Sequence, residues 1–269
     1  MTRDFLDALE RRYQSYVDTF RDAQGNLSHM LQLKWDHTLG VVRDARLIMS
    51  GERWPEGERA LGEACALLHD AGRYSQLQEF GTFQDAKSID HAVRGVEVIV
   101  ERRLLEGLAD REARQVLAAV AAHNKKDLPA SLDAATARLA HLVRDADKLD
   151  IFRVMETAIG DGSLERNPEI AWELQIKGAP SPEVVGAVRA GHSVSYANVK
   201  TLSDFVLIQV GWLIKGFHFD EALRLAVARR ALEYREAYLK TLSDDAGAAL
   251  CCAAARAALR DKGLGLPAA

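Results

Sequence analysis

Apolar residues recur at helical spacing along most of this chain, and no segment shows the strict alternation that a half-buried β-strand requires. The first segment is a clear case, because Leu6, Leu9 and Tyr13 fall on one face of a helix. Long runs rich in alanine, leucine, arginine and glutamate agree, since these residues lose little free energy on entering a helix. Glycine and proline number only 19 and 6 of 269 residues, too few for a collagen-like or loop-dominated chain. We therefore predict an all-α fold.

Breaks in the periodic pattern mark the ends of the predicted helices. We predict helices over residues 2–22, 30–49, 89–105, 111–124, 131–150, 201–216, 219–240 and 241–262, and one more that opens at the WPEGE sequence and ends at Gly72. A polar loop with the sequence QEFGTFQDAK precedes Ser88, the expected N-cap of the 89–105 helix. Residues 156–200 hold several helix breakers and no clear periodicity, which is typical of a cap or an insertion.

The balance of charge argues against two classes of partner. The chain has 35 lysine and arginine residues against 39 aspartate and glutamate residues, a formal net charge of −4. This gives no electrostatic reason to expect a nucleic acid polymer or an anionic membrane, whereas a small anionic substrate needs only a local cluster of cations. No run approaches the roughly 18 apolar residues of a membrane span, and the charged start has no apolar core of the signal-peptide kind.

The cysteines favour a reducing compartment. Cys251 and Cys252 are neighbours, so an ordinary disulfide between them is geometrically unfavourable. Cys65 lies in an apolar run, where we expect a buried structural thiol. Together with the absence of a signal-peptide pattern, this usage predicts a cytoplasmic protein with no membrane partner.

Several histidines and aspartates occupy helix faces that otherwise carry apolar residues. His37 lies on the same face as Leu33 and Val41, and Asp147 follows Val143 by one turn. An ionised carboxylate on an apolar face costs free energy unless it is paired or bound to a metal. Because such positions occur in consecutive helices, a divalent metal site is a common explanation, and a helical bundle is a good frame for one.

The candidate ligands form an ordered set of six. They are His37, His69, Asp70, His91, His123 and Asp147. The gaps between them are about one helix plus a loop, so the ligands can come from different helices of one bundle. Adjacent helical residues diverge by roughly 100°, which lets His69 and Asp70 address different sides of one site and lets a carboxylate bridge two ions. Six ligands are too many for one tetrahedral zinc ion with an open position, and they suit two ions.

With these residues the sequence resembles the HD-domain superfamily of metal-dependent phosphohydrolases. The resemblance runs from about Leu33 to Arg153, and it is carried by ALLHDAGRYSQ, AAHNK, RDADKLDIFRV and the ordered H…HD…H…H…D set. It implies an all-α bundle of the HD-domain type with additional C-terminal helices. It also implies one ion held by His37, His69, Asp70 and Asp147, and a second ion held by His91 and His123 with Asp70 bridging.

On this resemblance we expect residues 1–269 to form a single HD-type domain. The metal-binding core would span about 30–155, followed by a cap or insertion over 156–200 and packing helices over 201–262. Four tryptophans are interpreted as core or cap residues: Trp35, Trp54, Trp172 and Trp212.

Two cations beside the ligands are candidates for contact with substrate. Arg73 follows the HDAG sequence, where phosphate-handling cations are often found in similar proteins. Lys148 follows the predicted ligand Asp147. Two alternatives are open for its side chain: contact with the substrate, or pairing with Asp145 or Asp150. Asp70, Arg73 and Lys148 are therefore the predicted catalytic residues.

The resemblance and the ligand set predict a metal-dependent phosphohydrolase. Its partner would be a small phosphorylated substrate, with a nucleotide as the first choice, cleaved at a phosphomonoester or phosphodiester bond. Two divalent ions would activate a water and polarise the phosphoryl oxygens, and Arg73 would neutralise developing charge. Histidine and carboxylate ligands accept Mn, Fe, Co, Ni and Zn.

Two alternatives keep the scaffold and change the activity. One is a mixed-valent diiron oxygenase similar to myo-inositol oxygenase, which shares the six-ligand set and needs iron in two redox states. The other is a non-enzymatic sensor or binding module, which has no need of all six ligands. In each case specificity is expected to come from residues 74–88 and from the 156–200 region.

Overall fold

The computed structural model describes residues 1–171 and 173–265. These residues form α-helices and short 3-10 helices, and the one β-type pairing among them is an isolated bridge between Gln175 and Thr201. The predicted all-α fold is confirmed. Trp172, predicted as a core or cap residue, lies outside the described residues, whereas Trp54 is buried as expected.

Two compact units divide the chain, residues 1–150 and residues 151–269, and the boundary falls within one helix. The helices of the first unit are α1 (Arg3–Asp18), α2 (His29–Gly51), α3 (Glu56–Leu68), α4 (Gly72–Phe80), α5 (His91–Glu101), α6 (Asp110–Ala122) and the first part of α7 (Ala134–Gly160). Helix α2 packs on α3, α3 packs on α1 and α6, and α5 packs on α4 and α6.

Helix α4 and the start of α5 differ from the prediction. The segment 78–87 was expected to be a loop, but α4 continues to Phe80 and ends at Gly81, which has a φ of 68°. The irregular part therefore lies three residues later than predicted, at residues 81–90, and it contains a 3-10 turn at Asp85–Lys87. We call residues 81–90 the covering loop.

Asp90, and not Ser88, is the N-cap of α5. Its side chain accepts hydrogen bonds from the backbone N–H groups of Ala92 and Val93. The Ser88 hydroxyl instead donates to the carbonyl oxygen of Gln84. The prediction was wrong because serine and aspartate are about equally good N-caps, so residue preference does not separate two candidates this close together.

Among the residues that the structure describes, the second unit contains the rest of α7 and six further α-helices. They are α8 (Ser163–Arg166), α9 (Pro182–Arg189), α10 (Leu202–Lys215), α11 (Asp220–Ala228), α12 (Ala231–Leu242) and α13 (Ala246–Asp261). Helix α10 packs against α9, α12 and α13. The single helix predicted over 219–240 was wrong, because Arg230 adopts a left-handed φ of 58° and separates α11 from α12.

Helix α7 is also longer than predicted, since it continues to Gly160. The interpretation of residues 156–200 as a cap or insertion stays a prediction. Cys65, Cys251 and Cys252 are buried free thiols, and burial had been expected of Cys65. Within the described part of the chain, no helix has both the length and the apolar character needed to cross a membrane.

Candidate metal centre

The helices of the first unit bring the six predicted ligands to one place. His37 lies in α2, His69 ends α3, Asp70 lies in the turn before α4, His91 opens α5, His123 ends α6 and Asp147 lies in α7. All but Asp147 are buried, with at most 5% of each residue exposed. These residues therefore converge from separate helices in a site largely shielded from solvent.

Asp70 lies between two pairs of histidines. Its Oδ2 is 3.9 Å from His37 Nε2 and 3.6 Å from His69 Nε2. Its Oδ1 is 3.6 Å from His91 Nε2 and 4.0 Å from His123 Nε2. One carboxylate thus addresses two pairs of imidazole nitrogens, one pair with each oxygen. We call His37 and His69 the His37 set, and His91 and His123 the His91 set; Asp70 is shared by both.

Asp147 joins the His37 set through a single close approach. Its Oδ1 lies 3.1 Å from His37 Nε2, and 24% of its side chain is exposed. The sequence pattern predicted a more buried position, because Asp147 follows the apolar residue Val143 by one turn of α7. Val143 itself is fully buried. The carboxylate of Asp147 therefore lies where the site borders solvent.

Two of the histidines donate their Nδ1 proton to a backbone carbonyl. His69 Nδ1 lies 2.8 Å from the Ala66 oxygen, and His123 Nδ1 lies 2.7 Å from the Val120 oxygen. A carbonyl oxygen only accepts, so Nδ1 carries the proton in both rings. In the neutral ring the other nitrogen, Nε2, then presents a lone pair to the site.

The other two histidines are oriented by carboxylates. His37 Nδ1 lies 2.8 Å from Asp150 Oδ2, and His91 Nδ1 lies 2.6 Å from Asp85 Oδ2. Such partners fix the orientation of a ligand ring and raise its basicity. Sequence reasoning assigned no such role to either carboxylate. The position of Asp150, one turn after Asp147, is a signal that was available, whereas Asp85 lies in the covering loop, which no periodic pattern locates.

Burial determines the charge of three of the histidines. It lowers the pKa of His69, of His91 to about 4 and of His123 to about 4, with a nearby cation or imidazole acting in the same direction. These rings are consequently neutral near pH 7. A neutral imidazole is the form that binds a metal ion.

His37 and Asp70 have pKa values determined by their charged neighbours. Burial alone would lower the pKa of His37, but hydrogen bonds with Asp147 and Asp150 outweigh it and raise the pKa to about 9. Burial alone would raise the pKa of Asp70, but Lys34 and other nearby groups hold it well below the usual range. Asp70 is thus an ionised carboxylate, and a cation bound at the His37 set would displace the proton of His37.

The residues of both sets fit divalent metal ions. His69 Nε2 is buried and has no hydrogen-bond partner among the described residues. Two atoms that bind one ion at about 2.1 Å are at most about 4.2 Å apart. The distances from the four Nε2 atoms to the nearer Asp70 oxygen, from 3.6 to 4.0 Å, satisfy this limit. Imidazole and carboxylate donors together suit Zn, Fe, Mn, Co and Ni.

The two predicted substrate cations lie at different places around the site. Arg73 Nε is 3.4 Å from Asp70 Oδ1, while its Nη1 donates to the Phe83 carbonyl oxygen and to Asp85 Oδ1. Arg73 thus borders the His91 set and ties down the covering loop.

Lys148 is engaged by its own helix. Its Nζ lies 3.4 Å from Asp145 Oδ1 and donates to the Arg144 carbonyl oxygen at 3.2 Å. Of the alternatives stated for Lys148, pairing with Asp145 is the one the structure shows. Contact of Lys148 or Arg73 with substrate stays a prediction.

Sequence reasoning missed a third cation, Lys34. Its Nζ lies 2.8 Å from Asp70 Oδ2, with 19% of the lysine side chain exposed. Lys34 precedes His37 by three residues in α2, so the two share a helix face. That spacing was the available signal.

Comparison with known proteins agrees with this geometry. Residues 35–151 match the family model described as HD domain, and this range contains all six predicted ligands. Comparisons of the chain with curated proteins and with solved structures give no match.

Proposed function

Residues 35–151 of this chain belong to the HD-domain superfamily, and on that premise we propose that the protein is a metal-dependent phosphohydrolase. HD domains generally mark metal-dependent hydrolases. The proposed reaction is cleavage of a phosphomonoester or phosphodiester of a small molecule, with nucleotides as the first substrates to test. The proposed location is the cytoplasm, and the proposed partner is the substrate itself, with no nucleic acid polymer or membrane.

One observation carries this proposal: a single buried carboxylate faces two pairs of histidine Nε2 atoms. Asp70 Oδ2 faces one pair and Asp70 Oδ1 faces the other. A site for a single structural ion has no need of a second pair. Two divalent ions held by a shared carboxylate suit displacement at phosphorus, where both the attacking and the leaving oxygen carry charge.

The chain's own residues hold the proposed reaction site in place. Bound divalent ions would supply Lewis acidity and a water of lowered pKa. The Nε2 atoms of the four histidines, with Asp70 and Asp147, would hold those ions. Asp85 and Asp150 orient two of the rings through Nδ1, so the donor atoms keep their positions without reorganisation. The guanidinium of Arg73, at the edge of the His91 set, would stabilise negative charge on a phosphoryl group.

The test is a metal-resolved substrate screen. Protein stripped with a chelator is reconstituted with Mn, Fe, Co, Ni or Zn and assayed against nucleotides and sugar phosphates. We expect metal-dependent release of inorganic phosphate, or of a nucleoside monophosphate from a diester. Asp70→Asn should abolish both metal binding and release, and His192→Ala, an exposed control, should match the unaltered protein. An Asp70→Asn variant that keeps full activity would overturn the proposal.

The same preparation separates the hydrolase from the alternatives. Iron-loaded protein that consumes oxygen in the presence of a substrate, and releases no phosphate from any ester, would indicate an oxygenase. Protein that binds metal and a nucleotide without turnover of either kind would indicate a sensor or binding module.

A further inference from the structure

The ammonium of Lys34 is in direct contact with Asp70, a predicted metal ligand. It lies 2.8 Å from Asp70 Oδ2, the same oxygen that faces the Nε2 atoms of His37 and His69. In the structure this is a close and favourable ion pair. If Asp70 also binds a divalent cation, however, the ammonium of Lys34 lies next to a second positive charge.

A divalent ion at the His37 set would lie next to that ammonium, because both cations would share Asp70 Oδ2. Like charges this close repel strongly in a largely buried site, where the effective dielectric constant is low. The repulsion is relieved if an anion comes between the two cations. Lys34 would therefore favour binding of an anionic group at the metal centre.

A second cation approaches the same carboxylate from its other oxygen. Arg73 Nε lies 3.4 Å from Asp70 Oδ1 and is buried without a hydrogen-bond partner among the described residues. The two cations also share one aromatic ring. The Nζ of Lys34 lies 5.4 Å from the ring centroid of Phe83, and the Cζ of Arg73 lies 5.8 Å from it. Phe83, in the covering loop, thus brings two positive charges to one side of the site.

We propose that Lys34 is a substrate-binding residue whose ammonium transfers from Asp70 to a phosphoryl oxygen when substrate binds. This inference rests on the proposed function, since it assumes divalent ions at the site and a phosphorylated ligand. Its chemistry is simple: the lysine exchanges one anionic oxygen for another, and no covalent bond changes. Lys148, in contrast, contacts Asp145 and the Arg144 carbonyl oxygen.

We expect Lys34→Met to affect phosphate binding and Mn²⁺ binding differently. Removing the ammonium removes a contact with phosphate, which should weaken phosphate binding by about tenfold or more. It also removes a cation that repels the metal, so Mn²⁺ affinity in the absence of phosphate should be unchanged or higher. A merely structural role would lower both affinities together.

The experiment is calorimetric titration of the full chain, first with Mn²⁺ alone and then, in the Mn²⁺-loaded state, with inorganic phosphate. Lys34→Met is compared with Lys34→Gln as a second neutral variant, with Lys34→Arg, and with Lys262→Met, an exposed lysine after α13. We expect weak phosphate binding by both neutral variants, recovery of most of the affinity in Lys34→Arg, and unaltered binding in Lys262→Met.

Three results would overturn the proposal. They are equal phosphate affinity in Lys34→Met and the unaltered chain, loss of Mn²⁺ and phosphate affinity together in both neutral variants, and no phosphate binding by the Mn²⁺-loaded unaltered chain. Failure of the proposed function looks different, because a protein without hydrolase activity can still bind phosphate in a Lys34-dependent way.

Discussion

The Nε2 atoms of His91 and His123 lie 3.1 Å apart, although the residues are 32 positions apart in sequence and belong to different helices. Each ring donates Nδ1–H to an acceptor, Asp85 in one case and the Val120 carbonyl oxygen in the other. Burial makes both rings neutral, so both Nε2 atoms present lone pairs to one another. Two facing lone pairs repel, and a cation bound by both converts the contact into an attraction.

This contact predicts the metal stoichiometry of single variants. His91→Ala and His123→Ala should each lower the bound metal from two ions per chain towards one, because the residues of the His37 set stay intact. Elemental analysis after reconstitution with Mn²⁺ or Zn²⁺ and removal of free metal gives the ratio.

The control for these variants is His192→Ala, because His192 is exposed in the second unit. It should keep the stoichiometry of the unaltered chain. Two ions in both His91→Ala and His123→Ala would contradict the assignment of these histidines as metal ligands, and would indicate instead that they contact substrate.

Helical periodicity predicted the helices well, but it located their ends and the breaks between them poorly. The apolar faces of α1, α2 and α6 repeat over several turns, so tertiary packing agrees with local pattern. The break at Arg230 has no such signal, because arginine is an ordinary helix residue and its left-handed backbone depends on how α11 and α12 pack. Residues 78–80 read as polar loop because they are exposed at the end of α4, whereas its buried residues, Gly72 and 74–76, come earlier.

The six ligand candidates could be identified from the sequence because a histidine or an aspartate on an otherwise apolar helix face is costly to bury without a partner or a metal. Their partners were harder to read. Asp85 contacts His91 only because the covering loop folds back onto α5, which is a property of tertiary structure. Lys34 shares a helix face with His37, but a lysine is ordinary on a helix surface, and its distance to Asp70 identifies its place in the site.

Close packing between α4 and α5 yields a prediction about stability. A Cβ atom at Gly72 would lie 2.3 Å from the His91 carbonyl oxygen and 2.6 Å from the Gly95 nitrogen. Both atoms belong to the backbone and have little freedom to move, so Gly72→Ala should lower the free energy of unfolding by about 1–3 kcal/mol. It should also weaken metal binding at the His91 set, because His91 itself must shift. Thermal unfolding and metal analysis of the same variant test both effects.

Gly57 offers a matched control, since a Cβ there would meet nothing within 4 Å. It lies in the first turn of α3, where alanine is favoured over glycine by roughly 0.5–1 kcal/mol. Gly57→Ala should therefore unfold at the same temperature as the unaltered chain or slightly above it. Equal melting temperatures for the two variants would show that α4 and α5 are not closely packed at Gly72.

The buried thiols predict the response to alkaline pH. Burial raises the pKa of Cys65 to about 12 and that of Cys252 to about 12, from an ordinary value of 9.0. In the unfolded chain these thiols release their protons near pH 9, so the folded state loses relative stability as pH rises from about 9 towards 12. At pH 8 the native thiols should react very slowly with a disulfide reagent, and three thiols should react after denaturation. Rapid modification of Cys65 in the native protein would contradict its burial.

The carboxylates behind His37 and His91 predict effects that separate the two ions. Asp85→Asn weakens the orientation and basicity of His91, and Asp150→Asn does the same for His37. Loss of such a partner lowers metal affinity by roughly tenfold to a hundredfold. Each variant should therefore lower the affinity for one of the two ions and leave the affinity for the other nearly unchanged, as measured by competition with a chelator of known affinity.

Double variants show which ion each carboxylate supports. Asp85 acts on metal binding through His91, so adding Asp85→Asn to His91→Ala should have little further effect, whereas adding it to His37→Ala should weaken the binding that remains. The opposite pattern is expected for Asp150→Asn. Asp18→Asn, which removes an exposed carboxylate paired with Arg21, should leave both affinities unaltered. If Asp85→Asn and Asp150→Asn weaken the same ion, the two sets do not bind separate ions, and a single shared ion would explain the contacts of Asp70.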